Sequence, residues 1–275
     1  MTGITRDERR GIGHWLLLAF FVLFVAFLYG PTITITILSF QGAEGGLTFP
    51  MRGASLHWFA NLFQTQAVGD FGGAFTRSIL LAFMVMVLNV GVALLAGLAF
   101  RHRFRGSTVL FYVTVASLIV PSILVSLGIG LMFNIAGVAP TWYGSALGAH
   151  LTWTLPFGVL IMFAVFNRFN RSFEEAGRDL GATPWQVFRF VVLPLVMPSL
   201  VGVALFGFTL SYDEFARTIM AAGTENTLPL EIYGMTTNVT TPVLYALGTL
   251  TTAFSFTIIL LCVATYLALR KRRSA

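Results

Sequence analysis

Six stretches of this 275-residue chain are apolar for long enough to cross a hydrocarbon layer, which excludes most other folds. A helix needs about 20 predominantly apolar residues to span ~30 Å. The runs fall at roughly 14–40, 77–100, 107–133, 145–167, 195–220 and 245–269. Only 10% of the residues are charged, and the mean hydropathy of +0.82 is far above that of a soluble domain. The expectation is an all-α polytopic membrane protein with six transmembrane helices. The first run follows Arg6, Arg9 and Arg10, as a signal peptide would. Its apolar stretch is too long for a signal-peptide core and no A-x-A-like site follows it, so it reads as an uncleaved span.

A net charge of +6 and a pI near 10 could point to nucleic acid, but the placement of the charge does not. Lys and Arg gather at the N-terminus, in 101–105 (Arg101, Arg103, Arg105), in 168–189 (Arg168, Arg171, Arg178, Arg189) and at Arg270, Lys271, Arg272 and Arg273. The alternate loops hold only Arg52 and Arg77. Loops alternately rich and poor in Lys and Arg are the positive-inside pattern, with both termini cytoplasmic. The partner of this chain is the lipid bilayer and not a nucleic acid.

Recognisable reaction chemistry is missing. The single lysine, Lys271, stands between Arg270 and Arg272, so no G-x-x-x-x-G-K-[ST] phosphate loop occurs. His14, His57, His102 and His150 are far apart and none belongs to an H-E-x-x-H pattern, so no metal site is expected. There is no G-x-S-x-G elbow. Cys262, the one cysteine, reads as a small apolar filler in the last span. No catalytic residue and no cofactor is assigned to this chain.

One segment breaks the pattern. "SFEEAGRDLGATPWQVFRFVVLPLVMPSL", residues 172–200, is polar and finely punctuated between two apolar runs. Ser172 with Glu175 is an S-x-x-E capping box. Arg171–Glu175 and Glu174–Arg178 are i,i+4 pairs, and Phe173, Ala176, Gly177 and Leu180 share one mostly small face. Gly181 suits a left-handed C′ position. Thr183, Pro184 and Gln186 repeat the start signal. The spacing predicts two short capped helices joined by a sharp turn, with Pro198 allowing a bend into the fifth span. Two roles are open: a helix lying in the headgroup layer, or a docking element whose small residues admit a partner.

The segment resembles the EAA loop of binding-protein-dependent ABC importer permeases, E-A-A-x3-G-x9-I-x-L-P. Glu175, Ala176, Gly181, Leu193 and Pro194 match in register, with Gly177 for the second alanine and Val191 for the isoleucine. The resemblance extends over roughly 75–268, including "GAHLTWTLPFG" and "TLSYDEFARTIMAAGTENTLPLEIYG", and within the family is nearest the spermidine/putrescine-type permeases. It implies a type I importer fold. It also divides the chain into a cytoplasmic tail (1–13), a first helix with external loop (14–74), a transmembrane core (75–268) with the coupling loop at about 171–194, and a basic tail (269–275). Glu175, Ala176, Gly177, Gly181, Ala182, Leu193 and Pro194 would then couple to an ATPase. The implied partners are an ABC ATPase dimer carrying ATP and Mg, a second homologous permease subunit and an external solute-binding protein.

The substrate path is less defined. Trp153, Tyr212, Asp213 and Glu214 are candidates, the carboxylates because charges near the end of a span usually face an aqueous cavity. The cargo implied by the resemblance is a polyamine. Against this stands local neutralisation, since Asp213 and Glu214 lie four and three residues from Arg217. Residues 221–245 read as a polar external loop, and Pro121 and Pro156 as packing kinks. Ala93-x-x-x-Gly97 reads as a small-residue helix contact, and His150 as an interfacial anchor. An ion-coupled transporter acting without an ATPase is the alternative to the importer.

Overall fold

The computed structural model describes residues 12–64, 69–102, 104–238 and 242–274, without the side chains of Cys262 and of 265–274. The expectations for Arg6, Arg9, Arg10, Arg103, Cys262 and the basic side chains from Arg270 to Arg273 therefore lie outside the described residues. The chain is helical almost throughout: α1 (Ile12–Leu38), α2 (His57–Asn61), α3 (Phe71–Phe100), α4 (Ser107–Ala116), α5 (Ser122–Ile135), α6 (Ser145–Asn167), α7 (Ser172–Asp179), α8 (Pro184–Val187), α9 (Leu193–Tyr212), α10 (Leu228–Asn238) and α11 (Val243–Ser274). Between α8 and α9 lies a π-helical turn, Phe188–Val192.

Five stretches are long and apolar enough to cross a membrane: Ile12–Leu38, Phe71–Phe100, Ser145–Asn167, Pro184–Tyr212 and Val243–Leu261. The expected third span, 107–133, is instead two helices, α4 and α5, broken at 117–121. Pro121 is the reason. It has no amide to continue the ladder, and it sits at φ −56°, ψ 129° before α5. Ser117 Oγ covers the break, 2.7 Å from the Thr114 carbonyl and 3.1 Å from the Thr152 carbonyl. Pro156, by contrast, is carried inside an unbroken α6.

The chain divides into two compact units. The first holds α1, the segment up to residue 64 and the start of α11 as far as Ala253. Its loop closes on the buried Gln41, whose Nε2 donates to the Gly46 carbonyl (2.6 Å) and whose Oε1 accepts the Arg52 amide (3.0 Å). Tyr245 Oη donates to the Leu47 carbonyl at 2.8 Å.

The second unit, from α3 to α10 with the rest of α11, is built on the mutual packing of α3, α6 and α9. Lipid tails are as apolar as leucine, so helices in a membrane associate by close fit and not by expelling water. Glycines make that fit possible here. A Cβ on Gly97 would lie 2.7 Å from the Phe166 ring, and one on Gly158 2.5 Å from Asn89 Oδ1 and 3.0 Å from the Ala93 methyl. A Cβ on Gly207 of α9 would lie 2.9 Å from Nδ2 of the same asparagine. Asn89 is fully buried between the three helices, its Nδ2 donating to the Val203 carbonyl at 3.4 Å.

The fifth apolar run also ends differently from expectation. Helix α9 stops at Tyr212, and residues 213–223 turn back among α5 and α6. The Met220 amide donates to Ser126 Oγ at 3.0 Å, and Ser145 Oγ donates to the Ala221 carbonyl at 2.6 Å. Gly130 leaves the room, since its Cβ would collide with the Met220 carbonyl. The region read as a polar loop after residue 221 contains α10, which starts at a Leu228-Pro229 pair and is tied down where the Leu228 amide donates to Ser78 Oγ at 2.8 Å.

Replacing Gly158 by Ala overpacks this triad and is expected to cost about 1–3 kcal/mol. Gly91→Ala, where a Cβ meets nothing within 4 Å, serves as the control. Thermal unfolding of the purified protein in detergent should show a lower midpoint for the first variant and an unchanged one for the second.

Candidate functional sites

The polar segment forms one end of the second unit. Helix α7 begins without the expected box: Ser172 is its first helical residue, and the Ser172 amide is taken by Asn170 Oδ1 at 3.0 Å. The expected i,i+4 pairs are replaced as well. Glu174 pairs with Arg101 from the 101–106 loop, and Arg171 donates to the Arg101 carbonyl at 2.7 Å. Arg101 in turn lies 5.2 Å from the Phe166 and the Phe169 ring centroids. A partly buried guanidinium between two rings and a carboxylate outcompetes solvated pairs along one helix, each worth only about 0.2–0.5 kcal/mol.

The turn after α7 is as the spacing predicts. Gly181 is left-handed (φ +82°), its amide donating to the Arg178 carbonyl at 2.8 Å and that of Ala182 to the Gly177 carbonyl at 3.1 Å. Thr183 and Gln186 form the reciprocal capping box with Pro184 behind the cap. The second helix, however, is not a separate short element. It continues from Pro184 through the π turn to Tyr212. One wider turn before Pro194 removes the clash that a proline makes with the carbonyl four residues back.

Within this segment Glu175, Ala176 and Gly181 are exposed, beside Phe173, Trp185 and Leu180, the last 89% exposed. Gly177 is turned inward, and a Cβ there would touch Val187 and Val191 at 3.4 and 3.7 Å. Its small size thus seats α7 on its own chain. Ala182 and Leu193 pack against the buried cluster of Met162, Phe166, Val187 and Val196, and Pro194 is half-buried.

The opposite end holds the other candidates. Arg217 is fully buried, its Nη1 donating to Thr152 Oγ1 (2.6 Å) and its Cζ 5.2 Å from the Trp153 ring centroid. One face of the Trp153 ring is therefore taken by a cation of the chain itself. Because α9 ends at Tyr212, the i,i+4 geometry needed for Asp213 to neutralise Arg217 is absent. Among the described residues no ion pair joins Arg217 to Asp213 or Glu214. Glu214 Oε1 instead accepts the Arg217 amide at 2.9 Å. Tyr212 is buried between Phe208 and Phe254, and Asp213 is exposed.

The remaining acids at this end are engaged. Asp70 caps α3 at the Gly73 amide (2.9 Å) and meets Arg77 at 3.2 Å. The Gly73 amide first, and Arg77 after it, hold the Asp70 carboxyl below the usual carboxylate range. Glu225 accepts from Trp142 Nε1 (3.1 Å), and Glu231 from the Asp70 amide (3.1 Å) and Asn226 Nδ2 (2.8 Å).

Residues 89–273, well over half of the chain, match the family described as binding-protein-dependent transport system inner membrane component. The chain belongs to this family. The spermidine/putrescine transport system permease protein PotC of Haemophilus influenzae is 29% identical over 245 residues, covering 88% of this chain and 93% of that protein. The putrescine permease PotI of Escherichia coli K12 is 29% identical over 231 residues, 82% of this chain and 81% of the relative. A bacterial ABC transporter that imports alginate shares the fold with a TM-score of 0.74 at 15% identity, over 94% of this chain and 96% of that one. In another structure, the alginate transporter in complex with its pentasaccharide-bound periplasmic protein, the score is 0.66.

The permease is thus a multi-pass component of the inner membrane. Subunits of this kind are not enzymes and carry no cofactor; ATP binds a separate ATPase chain, and a binding protein completes the system. Membership removes the ion-coupled alternative. The residues that the sequence did not reveal are His150 and Asn89, whose partners lie far away in the chain. A polar side chain amid an apolar run was the available signal for Asn89.

Thr183→Ala removes the cap and is expected to cost about 1 kcal/mol locally. Amides 185–188 should then exchange about fivefold faster in hydrogen exchange by mass spectrometry, with those of α3 unchanged.

Proposed function

We propose that this chain is one of two permease subunits of an ATP-driven importer for a small cationic amine of the spermidine/putrescine kind. It spans the membrane six times, α4 and α5 together making one crossing, with both termini and the 172–194 segment in the cytoplasm. The alternating basic loops support this orientation. A second, homologous permease faces it, an ATPase dimer grips the segments carrying Glu175, Ala176, Gly177, Gly181, Ala182, Leu193 and Pro194, and an external binding protein delivers the amine. Closure of the ATPase dimer on ATP drives the two coupling segments together and opens the path outward; hydrolysis resets it.

The observation that carries the amine reading is the state of Asp213. Of the acids at its end of the second unit, Asp70, Glu214, Glu225 and Glu231 are each hydrogen-bonded or ion-paired, and the exposed Asp213 carboxylate has no hydrogen-bond or ion-pair partner among the described residues. An unpaired carboxylate at the mouth of a path attracts ammonium groups and repels anions. The names of the PotC and PotI relatives point to the same cargo.

Two substitutions test the two ends. Gly181→Val forces a side chain into a left-handed position, about 1–2 kcal/mol of strain, in a place where it meets nothing of its own chain. Membrane abundance should be near normal while ATP-dependent uptake falls; normal uptake removes the docking role. Asp213→Asn should weaken uptake of a diamine about tenfold and that of a neutral solute little, the charge contribution being of order 1.4 kcal/mol. Unchanged diamine kinetics in proteoliposomes would remove Asp213 from the path.

A further inference from the structure

We infer that His150 and Arg217 are positioning residues: a buried latch on α6 and the 213–220 turn that presents Asp213 alone to the translocation path. The inference rests on the amine reading above and extends it to groups that never meet the cargo.

His150 is 1% exposed and has two partners, Ser211 Oγ at its Nδ1 and Thr218 Oγ1 at its Nε2, each 2.8 Å away. Thr218 has only one hydroxyl proton, and it goes to the Glu214 carbonyl at 2.6 Å. Thr218 Oγ1 must therefore accept from His150, so Nε2 carries the proton and Nδ1 accepts from Ser211. The imidazole thereby joins the last turn of α9 to the turn that follows it. Asp213 lies between these two anchors in the chain.

Arg217 closes the same turn from the other side. It reaches α6 at Thr152 and Trp153, and its amide takes the Glu214 carboxylate. Two effects on charge follow. The guanidinium is buried against an aromatic face and away from the surface where Asp213 is exposed. The Glu214 carboxylate is drawn back onto the backbone and leaves Asp213 as the free acid. Among the described residues the buried Arg217 Nε has no hydrogen-bond partner, a cost that an apolar residue would avoid. A side chain retained at such a cost is serving geometry or charge placement and not simple filling.

The test uses the assembled complex in proteoliposomes, with its ATPase, second permease and binding protein, and labelled putrescine as the probe. Kinetics are compared for His150→Ala, His150→Gln, Asp213→Asn and the His150→Ala, Asp213→Asn pair. His150→Ala should lower kcat/KM for putrescine about tenfold, chiefly through KM, and His150→Gln, which keeps one donor and one acceptor, should recover most of it. In the Asp213→Asn background, His150→Ala should add less than about twofold, because residues that act through one another are non-additive. Additive losses would overturn the latch while leaving the amine reading standing. A harmless Asp213→Asn would remove the amine reading and the latch with it. Should His150→Ala fail to assemble, Thr218→Val removes the same hydroxyl bridge at nearly constant volume and must show the same non-additivity, or the latch is overturned.

Discussion

In hydrocarbon there is no water to take an unpaired amide or carbonyl, so every backbone polar group must find its partner inside the protein. Helices meet this demand by themselves, and most of the chain obeys it in that way. Its interest lies at the places where a helix stops within the bundle. At 117–121 the partner is Ser117, and at 213–223 the partners are Ser126, Ser145 and Thr218. All are small hydroxyls. Ser126 and Ser145 stand on neighbouring helices and respectively accept from and donate to the turn, while Ser117 and Thr218 lie in the broken segments and donate to carbonyls there. They allow a non-helical backbone to sit among packed helices, and the second break leaves Asp213 exposed while Arg217 is buried. On a continuous helix the two would have faced each other and cancelled.

Such breaks are tolerable only if the surrounding helices are held firmly. The α3, α6 and α9 triad supplies that support through Gly97, Gly158 and Gly207, which let the helices close around Met162, Phe166 and Asn89. Helix α6 is common to both ends of the second unit. Its Phe166 end underlies Arg101 and the α7 segment, and its His150–Trp153 end carries the polar cluster. One helix with few internal degrees of freedom therefore underlies both the α7 segment and the polar cluster at the opposite end.

The parts legible in the sequence are those set by local chemistry. Span positions follow from length and apolarity, and the Gly181 turn and the Thr183–Gln186 box follow from conformational preferences that act within five residues. Local reasoning fails where a distant residue offers a better partner. Ser172 lost its capping role to Asn170 at short range, but Glu174 left Arg178 for Arg101, more than seventy positions away. The sequence around Pro121 reads as a kink because no local signal shows that Ser117 finds an acceptor as far away as the Thr152 carbonyl. Helix α10 was read as loop because its polar threonines hid a proline-led start. His150 looked like an interfacial anchor because Ser211 and Thr218, which bury it, lie more than sixty residues on.

The charge pattern argues against treating Arg217 as a mere neutraliser. A buried ion pair is retained with least cost when the opposite charges touch and their remaining donors are satisfied. Here the carboxylate of Glu214 is bonded to the backbone amide of Arg217, no ion pair joins it to the guanidinium among the described residues, and Asp213 is exposed. The arrangement leaves Asp213 without the ion pair that an unbroken helix would have offered it four residues on. Separation keeps a negative group unmatched at the surface, which a cation can use and an anion cannot. On the amine reading proposed above, this unmatched carboxylate is the group that the cargo would meet.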